Sequence, residues 1–551
     1  MSEDDVKHAT AFEMAARQRD ISVSEFFLKN RHLLGFDSPS KAVVTTVKEA
    51  VDNALDACEE AGILPEIRVR VSHDGDRYRV AVEDNGPGIV EKQIARIFGK
   101  LLYGSKFHKL SQSRGQHGMG ISAAGMYAQL TTGKPMHILS RVAGENMASE
   151  LFVSIDTTRN RPDIHRKKRV KWDRPHGTRV EVEMEGRHQT GAHSVEAYLK
   201  QVAIANPHVT LVYRDPHDEL IRFERSIAKL PPRPTEIKPH PFGVELGRLI
   251  QMLSSTRSRT LRHFLEDEFS RVGRKTALEI IEHAGAGLSA RSYPRRIAHA
   301  EATRLHRAIG RTRISAPRTD CIVPIGEEQL LDGLRKELDA DFYTVTTRPP
   351  AVYRGNPFQV EIGIAYGRPG GVGLQRDSEG HIRKTRRGEK SDTGLPAARA
   401  DEPARLLRYA NRVPLLYQQS ACAIAKAAIQ TNWRAYGLRQ TKGALPVAPM
   451  AILVHVASVW VPFTSESKEA IASYPEVLKE LRLGLQECGR RLAAYLRRGE
   501  RLQREYARRV HIEKYLPHIG IALQEILGLS DEEREHTVTD LDEILHRKRK
   551  S

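Results

Sequence analysis

Cysteine is scarce in this chain: Cys58, Cys321, Cys422 and Cys488 are its four, widely separated and never in a CxxC pair. That spacing excludes a disulfide framework and argues against a zinc site on chemical grounds. Long apolar runs are missing too, and the opening MSEDDVKHATAFEMAARQRD is too charged for a signal peptide, so a reducing, soluble compartment is expected and no membrane partner. The phosphate-binding pattern GxxxxGK[ST] is also absent. Around Gly133-Lys134, Ala128 stands where the first glycine is required and Pro135 where Ser or Thr should follow, which excludes a P-loop. Acid is in deficit: 69 Asp and Glu face 87 Lys and Arg, a formal charge of +18 that favours a polyanion, nucleic acid first.

What is present fits a multidomain protein of about three or four domains in 551 residues. The stretch Lys41 to Ala61 carries Val44, Val47, Val51, Ala54, Leu55 and Cys58 at helical spacing, predicting a buried face. Glu49, Asn53 and Asp56 fall at i, i+4 and i+7 and stack an acid, an amide and an acid on the neighbouring stripe. Either a solvated face or a chemical one fits that stripe taken alone. Alternation at Ile67, Val69, Val71 and again at Val80, Val82 predicts a hairpin turning at Asp74-Gly75, whose second strand ends in Asp84-Asn85-Gly86-Pro87-Gly88. An acid at a strand end can accept from a base edge, and Gly86 and Gly88 admit a ligand close to backbone. Next, SRGQHGMG sets Gly115, Gly118 and Gly120 ahead of a helix opening near Ile121, where free amides and the helix dipole favour phosphate. A strand GTRVEVEME follows at Gly177, with Thr178 second in it.

These four pieces, in this order, resemble the Bergerat-type ATP fold of gyrase B, MutL proteins, heat-shock ATPases and histidine kinases. Beyond them, HVTLVYR predicts another strand and LPPRPTEIKPHPF a linker. Residues 243–309 read as helices with Arg257, Arg259, Arg262, Arg271 and Arg274 among them; from Asp320 strands and helices alternate as an α+β domain. Residues 368–399, including Lys384, Arg386 and Arg387, are expected to be an exposed basic loop. A long basic helix follows Pro475, then a short amphipathic pair suited to docking on another protein chain.

The stretches SEFFLKNRHLLGFDSP, LLYGSKFHKLSQSRGQHGMGISAAGMYAQLTTGKP, LLRYANRVPLLYQQSACA, NWRAYGL and ILVHVASVWVPFTSESKEAIA resemble, as a set, the topoisomerase VI B subunit family. The resemblance implies an α+β multidomain protein: a flexible N-terminus over 1–21, a Bergerat (GHKL) ATPase α/β sandwich over 22–230 and a helix-two-turns-helix insert with its linker over 231–315. It then implies a ribosomal-S5-like transducer over 316–475, a stalk helix over 476–511 and a segment docking on the topoisomerase VI A subunit over 512–551.

It further implies an ATP- and Mg²⁺-dependent enzyme, the ATPase subunit of a type IIB DNA topoisomerase. ATP drives its self-dimerisation, double-stranded DNA is captured, and supercoils are relaxed with a DNA-cleaving A subunit in an A2B2 heterotetramer. The location implied is cytoplasmic or nucleoid-associated, or nuclear in a eukaryote.

By the same resemblance Glu49 is the general base, Asn53 the Mg²⁺ ligand and Asp84 the adenine acid, with Gly88 beside the base and Thr178 supporting Asp84. Arg114, Gly115, Gln116, His117, Gly118, Met119 and Gly120 form the phosphate lid, with Ser105 and Lys106 nearby. A transducer lysine reaching the γ-phosphate is Lys442 or Lys468; Lys442, in a QTK-like element, is preferred, and Lys468 is read as opening a helix. Arg434, in NWRAY, stands where the family more often has Lys, and with Lys384, Arg386 and Arg387 is a DNA-contact candidate. Two alternatives stay open: another GHKL ATPase such as a MutL-like repair protein, and a non-hydrolysing scaffold of a DNA-break complex.

Overall fold

Ser38 begins the helix around which the first half of the chain is built. Its side-chain oxygen accepts from Lys41 N at 3.4 Å, and Pro39 takes the first helical position, where no N–H is needed. This helix, α1 (Pro39–Ala61), ends at Gly62 in the left-handed conformation, φ +76°. The computed structural model describes residues 10–16, 18, 21–22, 25–26, 29–104, 109–115, 118–367, 372–376, 382–386, 395–396, 401–465 and 467–547. Val44, Val47, Val51, Ala54, Leu55 and Cys58 are all buried, as their spacing predicts. Each large aliphatic side chain so buried contributes ~1.5–3 kcal/mol.

Facing α1 is an eight-stranded sheet in the order β5-β4-β3-β6-β2-β1-β7-β8. Its strands are β1 (Glu66–Asp74), β2 (Arg77–Asp84), β3 (Met136–Arg141), β4 (Ala148–Asp156), β5 (Arg161–Val170), β6 (Gly177–Glu185), β7 (Thr210–Arg214) and β8 (Leu220–Phe223). Neighbours are antiparallel except β1 and β7, which run parallel. On one face α1 packs with α2 (Glu91–Gly99), α3 (Gly120–Thr132) and α4 (Val195–Ala205) over the inward rows Val69, Val71, Val80, Val82, Val180 and Val182. The other face carries cross-strand charge pairs, Arg79 reaching Glu181 at 3.3 Å and Glu183 at 3.0 Å. With helices on one side only, a gap remains between α1, α3 and the sheet.

Four helices follow the proline-rich linker: α5 (Leu246–Ser255), α6 (Leu261–Glu268), α7 (Arg274–Ala284) and α8 (His299–Arg311). They enclose their own core around Leu249, Phe264, Leu265, Ile280 and Leu305. The next unit comprises α9 (Glu327–Glu337), β9 (Phe342–Thr347), β10 (Asn356–Tyr366), β11 (Arg405–Ala410), β12 (Val413–Pro414), α10 (Ala423–Gln430) and β13 (Met450–Ser458). Its sheet runs β9-β10-β13-β11-β12, with β13 buried along its whole length. Inside the region expected as a loop, residues 372–376 and 382–386 pair as an antiparallel hairpin.

The last unit is α11 (Pro475–Leu527), 53 residues long, whose first turns bury Val477, Leu481, Leu485, Cys488 and Leu492 against the second sheet's layer. The helix continues beyond residue 511 and through Pro517. Then α12 (Asp531–Arg547) folds back, and Val538 occupies the space where Gly520 has no side chain.

Candidate active site

A cavity of about 570 Å³ opens between α1, α2, α3 and the ends of β2 and β6. Glu49, Asn53, Asp84, Gly88, Gly115, Gly118, Met119, Gly120 and Thr178 line it, so the expectations from α1, the strand end, the lid and β6 meet in one place. Among the residues anticipated, Ser105, Lys106, Gln116 and His117 lie outside the described residues.

Where β2 ends and β6 begins, Asp84 and Thr178 are direct cross-strand partners. Asp84 Oδ1 accepts from Gly86 N at 2.8 Å and Thr178 N at 3.1 Å, which leaves Oδ2 for a ligand. The carboxyl is only 8% exposed, and burial pushes its pKa up to about 6 against the pull of those two amides. Gly88 has φ +76°, and a Cβ there would run into the Arg141 carbonyl, so glycine alone fits beside the acid. Ser140, which sequence reasoning passed over, accepts from Ile89 N at 2.8 Å and lies 3.0 Å from Thr178 Oγ1, tying the floor of this end together.

On the α1 side of the cavity, Lys48 Nζ donates to Glu49 Oε1 at 2.9 Å. Lys48 was not anticipated, although it adjoins Glu49 in sequence. Burial disfavours the Lys48 ammonium, yet Glu49 and Asp52 together hold its pKa above the usual lysine value. Buried Asp52 is raised to about 6 for the same desolvation reason, with Lys48 opposing. The first residue of α3, Gly120, faces the Glu49 carboxylate so closely that any Cβ would collide with Oε2. Asn53 is solvent-accessible at the cavity wall.

Two expectations require correction. Arg114 was assigned to the phosphates; its side chain instead turns away from the cavity and is 5% exposed. The guanidinium reaches Asp56 at 2.9 Å, both oxygens of Glu59 at 2.7 Å and Asn206 Oδ1 at 2.6 Å. A buried guanidinium needs opposing charge, and the C-terminal half of α1 supplies it. Although burial works the other way, Arg114 and His208 hold the Glu59 carboxyl far below its ordinary range. Asp56 is therefore an anchor for the root of the lid.

Lys442, the preferred lysine, sits on an exposed turn between two-residue strands and is not among the cavity-lining residues. Lys468 lines the cavity, is 7% exposed and donates to Arg114 O at 3.1 Å. No helix opens at Lys468; its φ is +54°, a costly conformation for a side-chain-bearing residue and one concentrated at functional sites.

Of the DNA-contact candidates, Arg434 is exposed on a short turn, its Nε donating to Gln440 O at 2.8 Å. Lys384 and Arg386 lie on the 382–386 strand of the hairpin, and Arg387 lies outside the described residues.

Comparisons with known proteins agree across the chain. Residues 39–188 match the family described as "Histidine kinase-, DNA gyrase B-, and HSP90-like ATPase", and residues 317–508 match "Topoisomerase VI B subunit, transducer". A protein of Archaeoglobus fulgidus named as the B subunit of type 2 DNA topoisomerase 6 is 45% identical over 534 residues, covering 97% of this chain and 84% of its own. The protein of that name from Methanococcoides burtonii is 47% identical over 519 residues, covering 94% and 79%. One from Thermococcus sibiricus is 38% identical over 561 residues, covering 93% of each.

Proposed function

The chain belongs to the family of type 2 DNA topoisomerase 6 B subunits, the ATPase subunits of topoisomerase VI, and from that premise we propose how its site works. Asp84 Oδ2 accepts from the adenine amino group, with Gly88 giving the base room. Gly115, Gly118 and Gly120 lie against the phosphates at the N-terminus of α3, where the first helical amides and the helix dipole favour an anion. Glu49 orients the attacking water and takes its proton as the new P–O bond forms at the γ-phosphorus and the bond to the bridging oxygen breaks, releasing ADP. Lys48 donates to that carboxylate and fixes its direction.

The residues present suit magnesium. The described residues contain no cluster of His, Cys, Asp or Glu fit to hold a metal by itself, while Asn53 offers an accessible amide oxygen beside the phosphate end. An ion held through Asn53, phosphate oxygens and water would neutralise phosphate charge, as suits a cation that dehydrates reluctantly.

The observation that carries this reading is the convergence of Glu49, Gly120 and Lys468 on one end of a cavity whose other end is Asp84. In this reading Lys468, which lines the cavity, meets the γ-phosphate from the transducer side and makes nucleotide state legible to the second half of the chain. The domain limits implied by the family resemblance, ATP-driven self-dimerisation, assembly with a DNA-cleaving A subunit as A2B2 and a nucleoid location complete the proposal. Among the described residues no helix is long and apolar enough to cross a membrane.

A direct test is Glu49→Ala. Nucleotide binding by calorimetry should persist while steady-state hydrolysis disappears. Retained hydrolysis removes Glu49 from the base role.

A further inference from the structure

Three consecutive residues at the root of the lid are sewn to the second half of the chain. Gln112 N donates to Cys321 O at 2.9 Å, and its side-chain amide exchanges two bonds with Val323, at 3.0 and 2.6 Å. Ser113 O accepts from Asn411 Nδ2 at 3.0 Å, and Arg114 O accepts from Lys468 Nζ at 3.1 Å. The glycine-rich portion that covers phosphate begins at the very next residue, Gly115. Only the Lys468 contact belongs to the nucleotide reading given above. The Gln112 and Asn411 contacts are separate links, and of these only the Asn411 side chain also reaches the central strand of the second sheet.

Asn411 is built for one geometry. It is 3% exposed and occupies the tight turn between β11 and β12 with φ +48°, followed by Arg412 at φ +67°. Asparagine tolerates that conformation better than other side-chain-bearing residues. Its carboxamide makes three bonds that use both of its donors: Nδ2 to Ser113 O, Nδ2 to Ser458 O at 2.9 Å, and Oδ1 from Ser458 N at 2.9 Å. The side chain thus bridges the lid root to the end of the central strand β13.

A buried pair fixes this turn from behind. Glu361 on β10 and His455 on β13 are both fully buried and 2.7 Å apart, and Glu361 also accepts from Ile325 N and Gly326 N at 2.7 Å each. His455 Nε2 accepts from Arg412 N at 2.9 Å, so the network assigns the Nδ1–H to the Glu361 side. On the far side, Arg412 O faces Asn206 Nδ2 at 3.4 Å, and Asn206 Oδ1 accepts from Arg114. A continuous run of bonded groups therefore extends from the core of the second sheet to the lid root and, through Arg114, to the helix bearing Glu49.

We propose that Asn411 is a positioning residue that fastens the phosphate lid to the transducer sheet, so that lid closure over ATP and displacement of the transducer are one movement. The proposal rests on the topoisomerase VI reading of the cavity. Removing the carboxamide donor leaves the nucleotide-binding groups in place and breaks the tie between Ser113 and the end of β13, so that the Gln112 and Lys468 bonds alone couple the two halves and the coupling weakens. A coupling of this class corresponds to about a five- to 150-fold effect on the linked equilibrium.

The test has two arms. In the wild-type full chain, binding of a non-hydrolysable ATP analogue should slow hydrogen exchange at the amides of Asn411 and Arg412 together with those of residues 112–114. Protection confined to the lid overturns the proposal without any variant. In the second arm, Asn411→Asp keeps the shape and tolerates the turn but replaces the donor by an acceptor facing two carbonyls, and Asn411→Gly accepts the turn while removing the side chain. Each is reconstituted with the DNA-cleaving A subunit, and ATP consumed per supercoil removed is measured. The ratio should rise at least about fivefold in a variant that still binds nucleotide.

A variant that folds, or loses hydrolysis and relaxation in proportion, with an unchanged ratio overturns the coupling role. A wild-type complex that relaxes nothing with ATP overturns the underlying reading and the proposal with it.

Discussion

Asp84→Asn separates binding from stability, because the two respond to this residue with opposite signs. In the variant, Oδ1 can still accept from Gly86 and Thr178, but an NH2 group replaces the oxygen that would receive the adenine amino hydrogen. A charge-assisted bond of ~1.5–3 kcal/mol is lost, and a buried donor left facing a donor costs a further ~1–3 kcal/mol. At 1.4 kcal/mol per tenfold, ATP affinity should fall by about two to four decades. The folded protein gains in the other direction. Raising an aspartate from 3.8 to about 6 by burial costs ~3 kcal/mol; the cost is absent below 3.8, grows between those values and is complete above about 6. Asparagine has no such cost, so without nucleotide the variant should melt no lower than wild type at pH 7.5. Calorimetric titration with ATP and thermal melts with and without nucleotide read both quantities. The wild-type affinity should also weaken below about pH 6 more steeply than the variant's. A variant that keeps wild-type affinity refutes the adenine role of Asp84, however well it folds.

Gly120→Ala drives a methyl group into the Glu49 carboxylate; displacing the base by about 1 Å should lower kcat by ~100-fold with a smaller change in KM, measured by steady-state hydrolysis. Lys468→Ala should depress ATP hydrolysis far more than Lys442→Ala, because only the former lines the cavity; equal effects would restore the QTK-like element as the γ-phosphate contact. Arg114→Ala removes the buried guanidinium that half-buried Asp56 and Glu59 surround, with His208 left to bond Glu59, and should destabilise the fold by ~3–5 kcal/mol in denaturant titration. Because Glu59 is held below its ordinary 4.5, its contribution is present above that pH and disappears as pH falls, so wild-type stability should decline toward that of the variant in acid.

The parts of the site that could be read from the chain are those where local geometry and chemistry coincide. Helical spacing put Glu49 and Asn53 on one stripe of α1, the end of β2 presented Asp84, and three glycines announced the lid. What escaped was decided by contacts across hundreds of residues. Whether Lys442 or Lys468 approaches the cavity depends on how β13 and the segment after it return to the first domain, and no local pattern encodes that path. Arg114 sat in the right motif, but its direction was set by Asp56, Glu59 and Asn206, whose combined negative charge and acceptors outcompete solvent. Asn411 gave a weak local cue, an Asn-Arg pair between two strands. Its bonds to Ser113 and Ser458 emerge only from the packed pair of domains. The order of the eight-stranded sheet, with parallel β1 and β7 amid antiparallel neighbours, is likewise a property of tertiary packing.

The long helix α11 has a mechanical consequence. Its first turns are embedded beside the second sheet, with Ala493 near the end of that buried stretch, while the helix runs on to Leu527. At 1.5 Å per residue the projecting part is about 50 Å long. A tilt of about 10° at the embedded end would carry the tip through roughly 9 Å, approaching the width of a DNA major groove. With about 27 Å of the helix embedded and about 50 Å free, a pivot in the transducer layer would enlarge a shift at the embedded end about twofold at the tip, the segment proposed to dock on a DNA-cleaving partner.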